Sequence, residues 1–517
     1  MNPPLSKEIA EHAEVIAQHA RQEGLDFYPT IFEMLTSEQM SQVAAYGGFP
    51  QRYPHWRFGM EYERLRKQHR YGLGRIYEMV INNDPCYAYL LNDNAMVDHK
   101  TVIAHVYAHC DFFKNNVWFS KTDRKMIDEM ANHATRVRRY MERYGVDRTE
   151  QAIDMFLSLE DLIDPHSMFM RRDRKEMQNA ARPDDRGVDV TRFPAKSYMD
   201  RYINPPERLA SDHAEEVKRR QHEKDRFPAS PVRDVLLFLL QHAPLEDWEA
   251  DILSMIREEA YYFAPQAQTK IMNEGWASYW HSVIMTRYVL RDDELIDYCE
   301  HNAGTLATGP GRLNPYKLGV ELLRDVEKRW NTHRYGPEYD ACEDMGARRE
   351  WGKDKEPQGR IVGRGSLGRE KIFQVRTLYN DVTFLDEFLT PEFVEDQQLY
   401  QYRYDPSTGK MVVVDRDFDK VKKQLLFMLT NHAQPYIYIM DGNYRNRGEL
   451  YLAHQHTGAD VDIKYAVETL KQLRKIWKRP VHLNARIDDE CVLFSFDGEQ
   501  SSQQRIDERI DKPARSF

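Results

Sequence analysis

The hydrophobic pattern divides the chain into a long helical stretch and a shorter mixed one. Apolar residues recur at three- and four-residue intervals over 61–73, 98–113, 123–144, 148–161, 232–242, 248–263, 270–285, 292–302 and 315–330. That is the period of a helix with one face on a core. A further helical segment is expected over 7–35, with a break near Tyr28 and Pro29. Beyond residue 370 the texture changes. Runs at 400–404, 411–414, 436–440, 450–454 and 491–496 have strand character, and 419–432 and 463–477 read as amphipathic helices. The runs at 436–440 and 450–454 flank DGNYRNRGE and predict a hairpin. We therefore expect an α+β protein. A large, mainly α-helical domain covers 1–331, a charged, glycine-rich connection covers 332–370, and a smaller α+β module covers 371–517.

Breaks in the pattern locate the connections. The stretch 46–58, YGGFPQRYPHWRF, is an aromatic, Gly- and Pro-containing loop, ordered because aromatics are rare in disordered tracts. Asn82, Asn83, Asp84 and Pro85 interrupt the apolar run 76–91 as a turn. The stretch 165–231 is rich in Arg, Asp and Lys with scattered prolines and reads as an extended surface excursion, with a lid over a site as the alternative. GTLATGPG at 304–311 lacks the GK[ST] ending of a phosphate-binding loop and reads as a turn.

Composition narrows the class. At 517 residues the chain is long enough for two to four domains. Its net charge of −10 argues against nucleic acid as the main partner. The five cysteines form no CxxC pair and no disulfide framework, the N-terminus carries no signal sequence, and the longest apolar run, 235–240, is too short to cross a bilayer. A reduced, cytoplasmic protein without a membrane span is expected.

Polar chemistry sits inside two apolar helices. In KIMNEGWASYWHSVIM (270–285), Glu274 and His281 are seven residues apart and point within about 20° of each other. Such groups are rarely buried without a partner or a metal. In TVIAHVYAHCDFFKNNVW (101–118), His105 and His109 are four apart and share a helical face, the spacing at which a helix offers two nitrogens to zinc. A carboxylate or histidine from the other helix would complete three protein ligands with an open fourth position, the arrangement of catalytic zinc. The residue after His105 is Val106, not the glutamate base of HExxH. Glu274 is then either the third ligand or, with His281 as ligand, the base; Glu259 is a further candidate base. Asp111 is placed to orient a ligand or to start a loop, Cys110 to face the core, and Asn115 and Asn116 to cap a turn. His432, His454 and His456 are read as surface or packing residues. The alternative to a metal site is a buried hydrogen-bonded network of His105, His109, Glu274 and His281.

Several long segments together resemble the stage V sporulation protein R (SpoVR) family: YPHWRFG (53–59), IYEMVINNDPCYAYL (76–90), AHVYAHCDFFKNN (104–116), REEAYYFAPQAQTKIMNEGWASYWH (257–281), NPYKLG (314–319) and VTFLDEFLTPEF (382–393). The resemblance implies a cytoplasmic bacterial protein linked to spore cortex formation or stress response, associated with a PrkA-like serine kinase and a companion protein. NEGWA is also similar to the HEGWA helix of certain zinc-peptidase-like proteins, with Asn273 where they carry histidine, which favours Glu274 as the base. The expectation is a zincin-like helical core with zinc at His105, His109 and Glu274 or His281, hydrolysing an amide or peptide bond in a peptidoglycan-related or stress-related substrate. The alternative is a non-enzymatic regulator or scaffold for the kinase and its companion.

Overall fold

The computed structural model describes residues 5–70, 78–170, 199–211, 213–214, 227–352, 365–488 and 490–506. Much of the excursion expected at 165–231, part of the connection at 332–370 and the first residues of the run at 76–91 lie outside them. In chain order the elements are α1 (Lys7–Glu23), β1 (Thr30–Leu35), α2 (Ser37–Ala45), α3 (Trp56–Arg70), β2 (Glu78–Ile81), β3 (Cys86–Leu91), α4 (Met96–Asn115), α5 (Met126–Tyr144) and α6 (Val146–Leu157). After them come α7 (Val235–His242), α8 (Asp247–Gln268), α9 (Lys270–Ile284), α10 (Leu295–Leu306), α11 (Pro315–Asn331), α12 (Leu367–Leu378) and α13 (Asp381–Phe388). Apart from helical segments of six residues or fewer, the remainder is β4 (Gln401–Asp405), β5 (Lys410–Asp415), α14 (Phe418–Leu429), β6 (Tyr436–Tyr444), β7 (Glu449–Gln455), α15 (Ile463–Trp477), β8 (Val481–Ile487), β9 (Glu490–Phe496) and β10 (Ser501–Arg505). The protein is α+β, mainly helical toward the N-terminus with a sheet module at the C-terminus. Two compact units form, one from Met1–Glu150 and Tyr261–Ala433, the other from Gln151–Ala260 and Gln434–Phe517.

In the first unit a three-stranded sheet has the order β1-β3-β2, with β1 parallel and β2 antiparallel to β3. The expected helix over 7–35 is corrected here, because its last six residues are a strand. α1 ends at Gly24, whose φ of 104° and backbone N–H bonded to the Ala20 and Arg21 carbonyls close the helix. TIFEML then pairs with CYAYLL, Thr30 opposite Cys86 and Leu35 opposite Leu91. Thr30, Ile31 and Phe32 favour the pleated conformation, and Pro29 cannot continue a helix.

The core of this unit is built on α4 and α9. Both are buried on nearly every side, polar residues included. Gly275 of α9 and Gly319 of α11 allow those helices to touch: a Cβ on Gly275 would lie 2.5 Å from the Gly319 backbone. No side chain of its own N-cap residue serves α9. Asp381 of α13 substitutes, its two oxygens accepting the Ile271 and Met272 N–H groups at 2.8 and 2.9 Å. Asp111 of α4 is fully buried and accepts from Arg376 of α12 through both oxygens (2.9 and 2.8 Å), from the Trp276 indole (2.9 Å) and from the Asp26 N–H (2.7 Å). One carboxylate thus binds α4, α9 and α12 together.

The second unit holds a five-stranded sheet of order β10-β9-β8-β7-β6. β7 and β8 are parallel and joined through α15; the other pairs are antiparallel. α7 joins this sheet from earlier in the chain: Val232 bridges Ile439, and Phe238 stacks on Trp477 with ring centroids 5.8 Å apart. Among the described residues no helix is long and apolar enough to cross a membrane.

Candidate metal centre

The i, i+4 spacing on α4 brings the His105 and His109 rings to 4.5 Å between centroids, nearly perpendicular at 81°. α9 lies across them and presents Glu274. Its Oε2 is 3.4 Å from His105 Nε2 and 3.4 Å from His109 Nε2. All three residues are buried, and among the described residues they are the group of His, Cys, Asp and Glu side chains whose ligand atoms converge, within 4.8 Å of one another.

Further contacts orient these groups. The His109 Nδ1 faces the Asn273 Oδ1 at 2.9 Å. The His105 Nδ1 faces the His281 Nδ1 at 3.0 Å, and the His281 Nε2 faces the Asn302 Oδ1 at 3.2 Å. Lys270, one turn before Glu274, donates to its Oε1 at 2.5 Å. The Tyr316 ring lies 6.2 Å from the His105 ring, tilted by 26°, with Lys270 Nζ 5.9 Å from its centroid, and burial and the charge of Glu274 push its hydroxyl pKa up.

Burial dominates the electrostatics. It lowers the pKa of His105, and the charge of His109 lowers it further, against the opposing pull of Glu274 and Glu78. His281 is pushed down to about 3 by burial, with the charge of His105 adding to it. Burial raises the Glu274 carboxyl, yet its close contacts with the His105 and His109 rings and the charges of His109 and Lys270 outweigh it and hold it well below the usual carboxylate range. Neutral His105 beside an ionised carboxylate is a donor combination that suits a divalent metal of borderline softness.

Of the residues singled out from the sequence, His105, His109 and Glu274 come together. His281 stands behind His105, against the ring nitrogen that faces away from Glu274. Glu259 is buried on α8 within the second unit and is not among the three converging residues. Asp111 neither orients a ligand nor starts a loop; it lies inside α4 and joins helices. Cys110 faces the core beside Thr30, and Asn116 caps the turn that follows α4. Four residues that the sequence pattern did not single out also belong here: Lys270, Asn302, Tyr316 and, through its charge on both His105 and Tyr316, Glu78. Lys270 was accessible from its i, i+4 spacing to Glu274. Tyr316 and Glu78 stand in the segments NPYKLG and IYEMVIN, whereas Asn302 gives no signal in the chain.

Fold and centre together define an α+β protein with two histidines and a glutamate converging among buried helices. Residues 5–434 match the family described as SpoVR like protein, and residues 435–488 match the SpoVR-like C-terminal domain. The chain belongs to the SpoVR family. It is similar to the uncharacterized protein YcgB of Escherichia coli (strain K12), with 29% identity over 496 residues covering 90% of each chain. No solved structure matches.

Proposed function

We propose that this SpoVR-family protein holds a divalent metal ion, zinc by preference, at His105, His109 and Glu274, and that it hydrolyses an amide or peptide bond. One observation carries the reading: both Nε2 atoms stand 3.4 Å from the same Glu274 oxygen. Donors about 2.0–2.2 Å from a tetrahedral ion are separated from one another by about 3.4 Å. Three protein ligands leave a position open. When bound, the ion would supply Lewis acidity, making a water more acidic and polarising a carbonyl.

The chain's own residues do the rest. Lys270 holds the second oxygen of Glu274, which fixes the carboxylate as a ligand rather than a mobile base. The Tyr316 hydroxyl is a donor for negative charge developing on a substrate oxygen. The proton acceptor is then another carboxylate of the same unit. Glu78 is favoured because its charge bears on both His105 and Tyr316. The substrate class we propose is a peptide or a peptidoglycan-related amide, in keeping with the cortex-formation role implied by the family name.

The deciding experiment is the metal content of the purified protein by elemental mass spectrometry, beside a His105→Ala/His109→Ala double variant. We expect near-stoichiometric zinc that disappears from a still-folded variant, and Glu274→Gln to lose metal as well. A wild-type protein that takes up no metal even after reconstitution sinks the proposal.

A second reading, a regulator acting with a PrkA-like serine kinase and its companion, is favoured by a different observation. An aromatic cleft of about 430 Å³ is lined by Tyr46, Tyr53, Phe58 and Tyr62, and Trp56 and Met60 are exposed on the same helix as Phe58. Purified kinase should bind the wild type and not Trp56→Glu; equal binding to both removes this reading.

A further inference from the structure

We infer that Asn273 and the Asn302–His281 pair are positioning residues that set the tautomers of His109 and His105, so that both histidines offer a bare Nε2 to the same point. The inference rests on the metal reading and goes further into it. An amide oxygen only accepts hydrogen bonds. The Asn273 Oδ1, 2.9 Å from His109 Nδ1, therefore places a proton on that nitrogen and leaves His109 Nε2 without one. The other histidine is set through one more step. The Asn302 Oδ1 accepts from His281 Nε2 at 3.2 Å, so a neutral His281 has a bare Nδ1. That nitrogen then accepts from His105 Nδ1 at 3.0 Å, and His105 Nε2 is left bare in turn.

Two independent chains of contacts reach the same result. With these tautomers the contacts from the two Nε2 atoms to Glu274 Oε2 at 3.4 Å carry no proton, and three lone-pair donors face one another. Acceptors gathered in this way repel unless a cation lies among them. The arrangement also gives His281 and Asn273 roles that neither ligation nor packing supplies. Both ring nitrogens of His281 are already engaged, and Asn273, the residue that departs from HEGWA, serves as the partner of a ligand.

The test reads tautomers directly in metal-free protein, by long-range proton–nitrogen NMR on histidine labelled with nitrogen-15, with the His105→Ala and His109→Ala variants assigning the signals. We expect both histidines as Nδ1–H tautomers. Asn273→Leu should release His109 from that tautomer and Asn302→Leu should release His105, while Asn273→Asp, which keeps an acceptor, should retain the wild-type pattern. Zinc affinity, measured by competition with a chelating dye, should fall about 10- to 100-fold in Asn273→Leu and Asn302→Leu and be largely kept in Asn273→Asp. Circular dichroism confirms that each variant is folded, and Asn302, being only half-buried, is the change least prone to disturb the core. Nε2–H tautomers in the wild type overturn the inference whatever the metal result. Wild-type zinc binding that both leucine variants leave unchanged overturns it too, with the metal reading intact. Absence of zinc binding in the wild type overturns the metal reading, and the tautomer spectrum still decides this one.

Discussion

At the scale of single residues, direction was legible and distance was not. Glu274 and His281 do share a face of α9, as their spacing requires, and both meet α4. Seven residues of helix nevertheless rise about 10 Å, whereas His105 and His109 are about 6 Å apart along their own axis. Glu274 consequently reaches both Nε2 atoms, and His281 reaches only the far side of His105. Asp111 makes the same point differently. Its place just after the histidine pair left open whether it served a ligand or a loop, because its partners Trp276, Arg376 and Asp26 are remote in the chain. Those partners make a firm expectation. Asp111→Asn removes the charge opposite Arg376 and leaves a buried guanidinium uncompensated, so it should cost about 3–5 kcal/mol in urea unfolding. A loss below about 1 kcal/mol, the range of an exposed pair, would show that water reaches Arg376.

At the scale of elements, the helices whose apolar faces are periodic were legible, α15 at Ile463–Trp477 to the residue, although α3 starts at Trp56 where 61 was expected and α8 runs on to Gln268. The strand at Thr30–Leu35 was not found, because it exists only by pairing with β3. β8 and β10 were missed as well: SSQQR of β10 is polar and exposed throughout and gives no alternation, whereas VHLNARI of β8 does alternate apolar and polar residues and was legible in the chain. How helices meet is likewise invisible in periodicity. The Gly275–Gly319 crossing predicts that Gly275→Ala will force α9 from α11, at a cost of about 1–3 kcal/mol and with loss of metal, read by thermal unfolding and elemental analysis. The capping of α9 gives a pH dependence. Burial raises Asp381 from 3.8 to about 7, against the hydrogen bonds from Ile271 and Met272. The folded state therefore holds this proton more tightly than the unfolded chain does. The resulting stability is complete below about pH 4 and is lost as pH rises to about 7. Compared with Asp381→Asn, which does not titrate, the wild type should lose on the order of a few kcal/mol more between about pH 4 and pH 8 in denaturant unfolding. Parallel profiles would mean that Asp381 stays ionised throughout.

At the scale of the molecule, the change of texture near residue 370 and the boundary between compact units are different things. Residues from α12 to α14 carry helix and a small hairpin and still belong to the first unit, which closes at Ala433. The family match changes at 434/435, in step with that boundary. The second unit begins there but is not complete, since it also uses Gln151–Ala260. Local pattern cannot reveal such a union, because no signal in VLLFLLQH of α7 says which sheet it covers. The structure does: Val232 bridges Ile439, and Phe238 packs on Trp477. Burying Val235, Leu236, Phe238 and Leu239 at about 1.5–3 kcal/mol per large apolar side chain is comparable to the whole stability of a small domain. A fragment of residues 435–517 should therefore lack a cooperative thermal transition by circular dichroism, although it contains all five strands and α15. Residues 151–260 supplied in trans should restore that transition, and Phe238→Ala in the added piece should weaken the restoration by about 3–5 kcal/mol. A cooperative transition of the fragment by itself would mean that α15 alone suffices to bury the sheet, and that the contribution of α7 lies elsewhere.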